Sequence, residues 1–252
     1  MKTLIINCDD LGMHPSVNRA IVSLLAAGPV SSCSLMPASQ HFEDAVARLR
    51  EAGIGAVGVH LMLGSEYPSL PTGPLCGRGA VASLVDDEGN FFSGMNDLRP
   101  RMRLAEVECE LRAQIARVKG VGLRVTHLDG HMFFYEESVA GGIELFEIVR
   151  LLAAEEHVPF RNRAQRETLF IWDAYESVTS RLEYYSDLMG RYDGDAAELI
   201  LHPADDLTAL ATFTKSGPRR CGDFQFFQAT GWSEALRRRG VRVVGWGDVA
   251  GG

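Results

Sequence analysis

The sequence lacks the features of several common protein classes. No apolar run approaches the ~20 residues that a membrane-spanning helix requires, and acidic residues follow the N-terminus too soon for a signal peptide. The net charge of −8 leaves no basic footprint for binding a nucleic-acid backbone. Asp10-Leu11-Gly12 offers one glycine, whereas a dinucleotide-binding loop has the pattern GxGxxG. We therefore expect neither a membrane nor a nucleic acid as a partner.

Cysteine is present, but no two cysteines are neighbours in the sequence. The five cysteines form no CxxC motif and lie far apart along the chain: Cys8, Cys33, Cys76, Cys109 and Cys221. An odd, scattered set predicts free thiols in a reducing compartment, with Cys8 and Cys33 as small core residues. We therefore predict a cytoplasmic protein that does not use cysteine as a metal ligand.

The composition is that of a globular protein, and short apolar segments alternate with helical patterns. The chain of 252 residues has 46% hydrophobic and 23% charged residues. Predicted strands cover 3–6, 30–36, 56–61, 122–131, 158–161, 198–203 and 241–246. Predicted helices cover 15–27, 42–50, 104–118, 138–154, 172–189 and 224–239. This alternation predicts an α/β fold of about seven parallel strands.

The expected architecture is one domain over residues 1–252. The strands can close as a barrel or form an open, doubly wound sheet. The barrel is favoured because polar candidate residues end five of the predicted strands, and a barrel brings all its strand ends to one mouth. Two stretches without periodicity, about 64–101 and 203–222, are expected to be long loops that border the site.

The first predicted strand is followed directly by two adjacent carboxylates, Asp9 and Asp10. Neighbouring side chains on a strand point to opposite faces, so both can face one site only if the strand ends before them. Two carboxylates that close raise each other's pKa unless a positive group compensates them, and a divalent cation is the usual one. The alternative is an Asp-rich turn that caps a helix.

Histidines lie at or just beyond the ends of other predicted strands. His60, His127 and His202 are placed in this way, and His131 follows closely after the fourth strand. One such histidine alone is more often structural, but several that converge on an Asp pair indicate a metal site. Two imidazoles and a carboxylate leave coordination positions open for water and substrate, as a hydrolytic metal site requires.

In combination, four motifs resemble those of the YdjC-like carbohydrate deacetylases, a family related to the wider polysaccharide deacetylases. The resemblance implies a distorted TIM-like (β/α) barrel and metal-dependent removal of acetyl groups from N-acetylated sugars or oligosaccharides. The motifs run from the first strand to the sixth: Asn7-Cys8-Asp9-Asp10-Leu11-Gly12, Val59-His60-Leu61, Thr126-His127-Leu128-Asp129-Gly130-His131 and Leu201-His202-Pro203.

The resemblance also implies roles for individual residues. Asp10, His60 and His127 match the ligands of one divalent metal ion, Asp9 the general base, and His202 a general acid near the leaving amine. Mg²⁺ or Zn²⁺ is favoured, and Mn²⁺, Ni²⁺ or Co²⁺ also suits such a ligand set.

The chain departs from the family pattern at the expected substrate rim. Gly130 stands where a serine is common, Met132-Phe133-Phe134 where further histidines are common, and Ala204 where a glycine is common. The expected metal core is therefore intact, whereas the identity of the sugar is left open.

Three more residues are predicted to border the substrate. Arg161 is expected to orient Asp9 or hold the substrate, with a surface arginine as the alternative. Asp129 can fix the tautomer of a ligand histidine, and His131 is expected to line the pocket. On an extended strand, positions 127 and 131 lie ~13 Å apart, so both reach one ion only if the chain bends.

Two other functions are compatible with the same residues. A sugar isomerase or epimerase would favour more carboxylates on the metal and a lysine near the substrate. The three lysines, Lys2, Lys119 and Lys215, do not end predicted strands, which counts against that alternative. A non-catalytic carbohydrate-binding protein would have lost a ligand or the base, and neither is lost here. The sequence leaves a homo-oligomer open.

Overall fold

The computed structural model describes residues 2–136, 142–162, 167–170, 196–229, 232–238 and 240–249. Its strands are β1 (Lys2–Leu11), β2 (Ser32–Leu35), β3 (Ala56–Leu61), β4 (Arg124–Gly130), β5 (Glu167–Phe170), β6 (Ala196–Leu201) and β7 (Val241–Val243). Its helices are α1 (Pro15–Ala27), α2 (Phe42–Glu51), α3 (Met95–Leu98), α4 (Leu104–Gly120), α5 (Gly142–Glu155), α6 (Leu207–Leu210), α7 (Gly217–Gln228) and α8 (Trp232–Arg238). Within these segments, none of the helices combines the length and apolar character needed to cross a membrane.

The seven described strands pair in parallel and form one curled sheet. Its order is β4-β3-β2-β1-β6-β5, and β7 pairs with the beginning of β1. Arg161 follows a segment that bridges β4 at Phe160, yet its guanidinium bonds to Glu198 on β6 and to Asp9 on β1. The two sides of the sheet therefore face each other, and the predicted α/β, TIM-like barrel with about seven parallel strands is confirmed.

The apolar face of α4 shows how the helices attach to this sheet. Four apolar residues recur at helical spacing, and each is at most 2% exposed to solvent: Val107, Leu111, Ile115 and Val118. Such burial contributes roughly 1.5–3 kcal/mol for each large aliphatic side chain. Glu110 and Gln114 flank this apolar face and are buried with it.

β1 is longer than predicted, and this corrects the expectation that the strand ends before the two carboxylates. The strand continues to Leu11 and includes Asp9 and Asp10. Its register against β2 shifts between Cys8 and Leu11, and Asp10 has a φ of 69°. A β-bulge with a positive φ breaks the alternation of faces, so both carboxylates turn towards the same site without an end to the strand.

The second half of the chain differs more from the prediction. The segment 158–161 makes a single parallel bridge between Leu128 and Phe160, because Pro159 has no N–H to donate to a ladder. β5 lies at Glu167–Phe170, where no strand was predicted. The helix predicted over 172–189 lies outside the described residues.

The predicted loop 203–222 and the predicted helix 224–239 also need correction. The loop contains α6, and α7 begins within it at Gly217, with Pro218 in the first turn, where its missing N–H is tolerated. Instead of one last helix, α7 ends at Gln228 and α8 begins at Trp232.

The loop over 64–101 is largely irregular, as predicted, and is fastened to α4. The carboxylate of Glu110 is fully buried and accepts hydrogen bonds from the backbone N–H groups of Leu75 and Cys76, both at 3.0 Å. One turn later, Gln114 bonds to Glu110 and to both backbone polar groups of Met62. Side chains of α4 therefore hold both this loop and the end of β3 in place.

Candidate active site

Asp10 lies at the centre of the candidate site and presents its two oxygens to different neighbours. Its Oδ2 accepts a hydrogen bond of 2.6 Å from Arg220 Nη2. Its Oδ1 lies 3.3 Å from His60 Nε2 and 3.2 Å from His131 Nδ1. Oδ1 is buried and has no well-aligned hydrogen bond among the described residues. Burial alone would raise the pKa of Asp10, but Arg220 and the two histidines hold it well below its usual range.

His60, at the end of β3, is held between carboxylates. Its Nδ1 lies 2.9 Å from Asp129 Oδ1, which leaves Nε2 facing Asp10. Burial lowers the pKa of this histidine, but Asp129, Asp9 and Asp10 raise it to about 10. Without a bound cation, His60 is therefore itself a cation at neutral pH.

His131 reaches the same carboxylate because the chain bends at the end of β4. A turn of 3₁₀ helix covers His131–Phe133, and Met132 and Phe133 both have a positive φ, at 57° and 51°. The second ring nitrogen of His131, Nε2, lies 3.4 Å from Glu66 Oε2. Burial lowers the pKa of His131, but Asp10 and Glu66 raise it above its usual value. His131 thus joins Asp10 and His60 in one group of donors within 4.8 Å of one another.

His127 points away from that group. Its Nε2 lies 3.5 Å from Asp129 Oδ2, and its ring stacks on Trp246 with a centroid distance of 4.7 Å. Gly58 provides the space, because a Cβ at that position would come within 2.1 Å of the ring. The predicted ligand set of Asp10, His60 and His127 is therefore brought together only in part, and the geometry favours His131 as the third member.

Asp9 is bound by the guanidinium group of Arg161. Both of its oxygens accept hydrogen bonds of 2.8 Å from Arg161, and Oδ1 accepts one of 2.7 Å from Asn7. Arg161 also bonds to Glu198 and lies 3.1 Å from Asp129. Burial lowers the pKa of Arg161, but the three carboxylates raise it far above its usual value. Of the two roles predicted for Arg161, its position matches the orientation of Asp9.

His202 follows β6 and lies beside this group. Its backbone N–H donates to Asp223 Oδ2 at 3.1 Å. Burial lowers the pKa of its imidazole to about 4; Asp10 opposes this change and Arg220 reinforces it. His202 is therefore neutral at neutral pH in the free site.

Among the described residues, Glu66, Glu198, Arg220 and Trp246 touch the site and were not predicted from the sequence as site residues. Glu198 could have been recognised from the sequence, because it is a charged residue in the otherwise apolar segment 196–201. In the structure it is 1% exposed. Glu66 and Arg220 lay in predicted loops, where a charged residue is unremarkable. Only the fold brings Arg220 on α7 to Asp10.

A small pocket lies beside His131. Apolar side chains make up most of its lining and a few polar ones interrupt them, with Met13, Met36, Met62, Glu66, Tyr67 and His131 at its walls. A small number of polar groups on an apolar wall is typical of pockets for small molecules.

Comparisons with known proteins show which proteins the chain resembles over its length. A family model described as YdjC-like protein matches residues 3–238. A carbohydrate deacetylase of Brevibacillus brevis is 36% identical over 98% of this chain and 99% of the relative. A carbohydrate deacetylase of Enterococcus faecalis is 27% identical over 99% and 98%.

A solved structure is similar over the same length. A crystal structure from Enterococcus faecalis, described as that of a cellobiose-phosphate cleavage protein, has a TM-score of 0.84 and 26% identity and covers 99% of both chains. The residues matched by the family model include every member of the site described above except Trp246.

Proposed function

The chain belongs to the YdjC-like protein family, and we propose that it is a carbohydrate deacetylase that hydrolyses the acetamide of N-acetylated sugars with one divalent metal ion. The observation that carries the metal is the buried Oδ1 of Asp10, which has no well-aligned hydrogen bond among the described residues and faces His60 Nε2 at 3.3 Å and His131 Nδ1 at 3.2 Å. A carboxylate and two imidazoles form the kind of open ligand set that hydrolytic metal sites use.

The residues behind the three ligands support this assignment. Arg220 holds the second oxygen of Asp10, Asp129 holds the second nitrogen of His60, and Glu66 lies at the second nitrogen of His131. Such outer partners fix the tautomer and the orientation of metal ligands. His127, the ligand implied by the sequence motif, would have to leave its stack on Trp246 to take part.

Asp9 is proposed as the general base. When bound, the metal ion polarises the amide carbonyl and lowers the pKa of water from 15.7 to ~7. Asp9 lies beside the ligand group, with its Oδ2 4.0 Å from His60 Nε2, but it is held by Arg161 instead. A carboxylate fixed in this way can take the proton of the attacking water as the carbonyl carbon becomes tetrahedral.

His202 is proposed to deliver a proton to the departing amine. Because burial lowers its pKa to about 4, His202 holds no proton at neutral pH in the free enzyme. We infer that His202 takes up the proton that Asp9 removes from water and then donates it to the amine. An imidazole of low pKa passes that proton on readily, so the carbon–nitrogen bond breaks to give a neutral amine and acetic acid, which loses its own proton to solvent and leaves as acetate.

The substrate class follows from the family, and the compartment from the thiols. We propose an N-acetylated mono- or oligosaccharide as the substrate, because the curated relatives are named carbohydrate deacetylases. A cytoplasmic location is supported by the five cysteines, all of which are free thiols.

The test is the release of acetate from a panel of N-acetylated mono- and oligosaccharides. The protein is first treated with a chelator and then assayed with and without each divalent metal. We expect release from at least one sugar, only after metal is restored. Absence of release from every sugar with every metal would contradict the proposal.

A further inference from the structure

Two cysteines outside the active site lie side by side although they are 33 positions apart in the sequence. Cys76 belongs to the loop over 64–101, and Cys109 lies on α4. Their sulfur atoms are 3.4 Å apart, and Cys76 Sγ lies 3.4 Å from the carbonyl oxygen of Cys109. Both are free thiols in this structure. The sulfurs would need to approach to ~2.05 Å to form a bond.

The surroundings keep this pair together. The backbone N–H of Cys76 donates at 3.0 Å to Glu110, the residue that follows Cys109. Glu110 is fully buried and is also bonded to Leu75 and Gln114. The main chain at Cys76 is therefore fixed against α4, so the two thiols are held as neighbours and do not depend on chance approach of a loop.

The two thiols differ in exposure, which assigns them different roles. Cys109 is exposed, whereas Cys76 is half-buried, and burial, Cys109 and Glu110 raise the pKa of Cys76 to about 12. Because Cys109 is exposed, it is the thiol that first meets a soluble reagent, with which it reacts as the thiolate. Cys76 is placed to attack next.

We propose that Cys76 and Cys109 are a redox modification site, where a low-molecular-weight disulfide such as oxidised glutathione produces a reversible intramolecular disulfide. The Cys109 thiolate attacks one sulfur of the reagent, which releases one thiol and leaves a mixed disulfide on Cys109. Cys76 then attacks the Cys109 sulfur and releases the second thiol. The reagent gains two electrons, the protein loses two, and the two cysteine protons end on the released thiols.

A disulfide between Cys76 and Cys109 would link the loop over 64–101, which borders the candidate site, covalently to α4. The same loop carries Glu66, which lies at His131 Nε2, and α4 carries Gln114, which bonds to Met62 close to His60. Closing a loop by a covalent link restricts the unfolded chain and resists local opening. We therefore expect the oxidised protein to melt at a higher temperature and its loop 64–101 to be cut more slowly by a protease. This site does not depend on the proposed deacetylase activity.

The test uses the intact protein in buffers of increasing oxidised-to-reduced glutathione ratio. We expect the number of free thiols to fall from five to three, with the loss of two hydrogen atoms in the intact mass and one cross-linked peptide that joins Cys76 to Cys109. Dithiothreitol should restore all five. Cys8 and Cys33 are buried at 0% and 2% exposure and should not react.

Three variants distinguish this pair from other thiols. Cys221→Ser, which removes the remaining half-buried cysteine, should form the bond as the wild type does. Cys76→Ser should stop at a glutathione adduct on Cys109, and Cys109→Ser should form no cross-link. A wild-type protein that keeps five thiols, stops at an adduct, or cross-links through Cys221 would overturn the proposal.

Discussion

The two adjacent aspartates of the site have opposite relations to their arginines. Arg161 bonds to both oxygens of Asp9, at 2.8 Å each, whereas Arg220 bonds to only one oxygen of Asp10, at 2.6 Å. The free oxygen of Asp10 faces two histidines whose pKa values are raised. Arg161 therefore supplies the positive charge beside Asp9. Beside the Oδ1 atom of Asp10, the positive charge comes from protonated histidine when no metal ion is bound. This difference is the reason why we propose metal binding for Asp10 and proton transfer for Asp9.

The largest expected effect comes from removing one of the two histidines that we propose as metal ligands beside Asp10. His60→Ala and His131→Ala should each lose stoichiometric metal and all acetate release, because two remaining donors hold a divalent ion poorly. His127→Ala is the matched control, since His127 contacts Asp129 and Trp246 instead of Asp10. Elemental analysis of the purified, folded proteins measures the metal content. Metal lost in His127→Ala and retained in His131→Ala would restore His127 as the ligand.

Beside Asp9, we expect substitution of Arg161 to lower the free energy of unfolding. Arg161→Met leaves Asp9, Asp129 and Glu198 buried without their shared cation, and breaking a buried pair costs about 3–5 kcal/mol in unfolding free energy. Arg161→Lys keeps the charge but loses the bidentate contact, so it should cost less. Arg124→Met on the exposed start of β4 serves as the control. Denaturant unfolding measures all three, and a loss below ~1 kcal/mol in Arg161→Met, as for an exposed pair, would refute this account.

The affinity for metal should rise with pH. His60 has a folded pKa of about 10 against an ordinary value of 6.5, so it carries a proton at neutral pH in the metal-free protein. A metal must displace that proton, and the apparent affinity should increase about tenfold per pH unit until the pH reaches the folded pKa. Calorimetry in buffers of different ionisation enthalpy should detect at least one proton released per ion at pH 7. An affinity that does not change with pH would contradict this.

The same raised pKa affects the stability of the metal-free protein. The contribution of His60 is fully present below about pH 6.5 and is lost as the pH rises towards 10, because the native state then no longer binds the extra proton. His60→Ala should therefore flatten the decline in melting temperature over this range. An unchanged decline in the variant would assign the pH dependence to other groups.

The smallest expected effect is at Glu66, which lies behind the proposed ligand His131. Glu66→Gln removes the carboxylate at Nε2 of the ring, and outer partners of this kind typically contribute ~10–100-fold to metal affinity. Because Glu66 is 34% exposed, we expect the lower end of that range. Titration of the metal-free protein measures it, with Gln40→Ala, whose amide bonds to Pro71, as a control on the same pocket. Equal affinity in both variants would exclude the role of Glu66.

Much of the fold could be predicted from the sequence because its first half uses local signals. The bounds of α1 and β3 agree with the predicted ranges 15–27 and 56–61. Pro15 begins the first helix, and Gly28 in a left-handed conformation ends it. In the second half, β5 is an irregularly patterned segment that becomes a strand by pairing with β6, and the short break between α7 and α8 was not recognised at Gly231.

The site was predictable as a set of residues but not as a geometry. Histidines at strand ends and the adjacent carboxylates indicated a metal site. The positive φ of Asp10, the turn at His131 and the stack of His127 on Trp246 decide which residues meet. None of these features follows from spacing, because each depends on a bulge, a bend or a contact between distant strands.

The most direct test of the division between the two aspartates compares Asp9→Asn with Asp10→Asn in metal content and acetate release. Asp9→Asn should keep one metal ion per chain and lose ~10²–10⁴-fold in kcat, the usual contribution of a positioned base. Asp10→Asn should bind no stoichiometric metal. A metal-free Asp9→Asn beside a metal-loaded Asp10→Asn would show that the two roles are exchanged and would contradict the account.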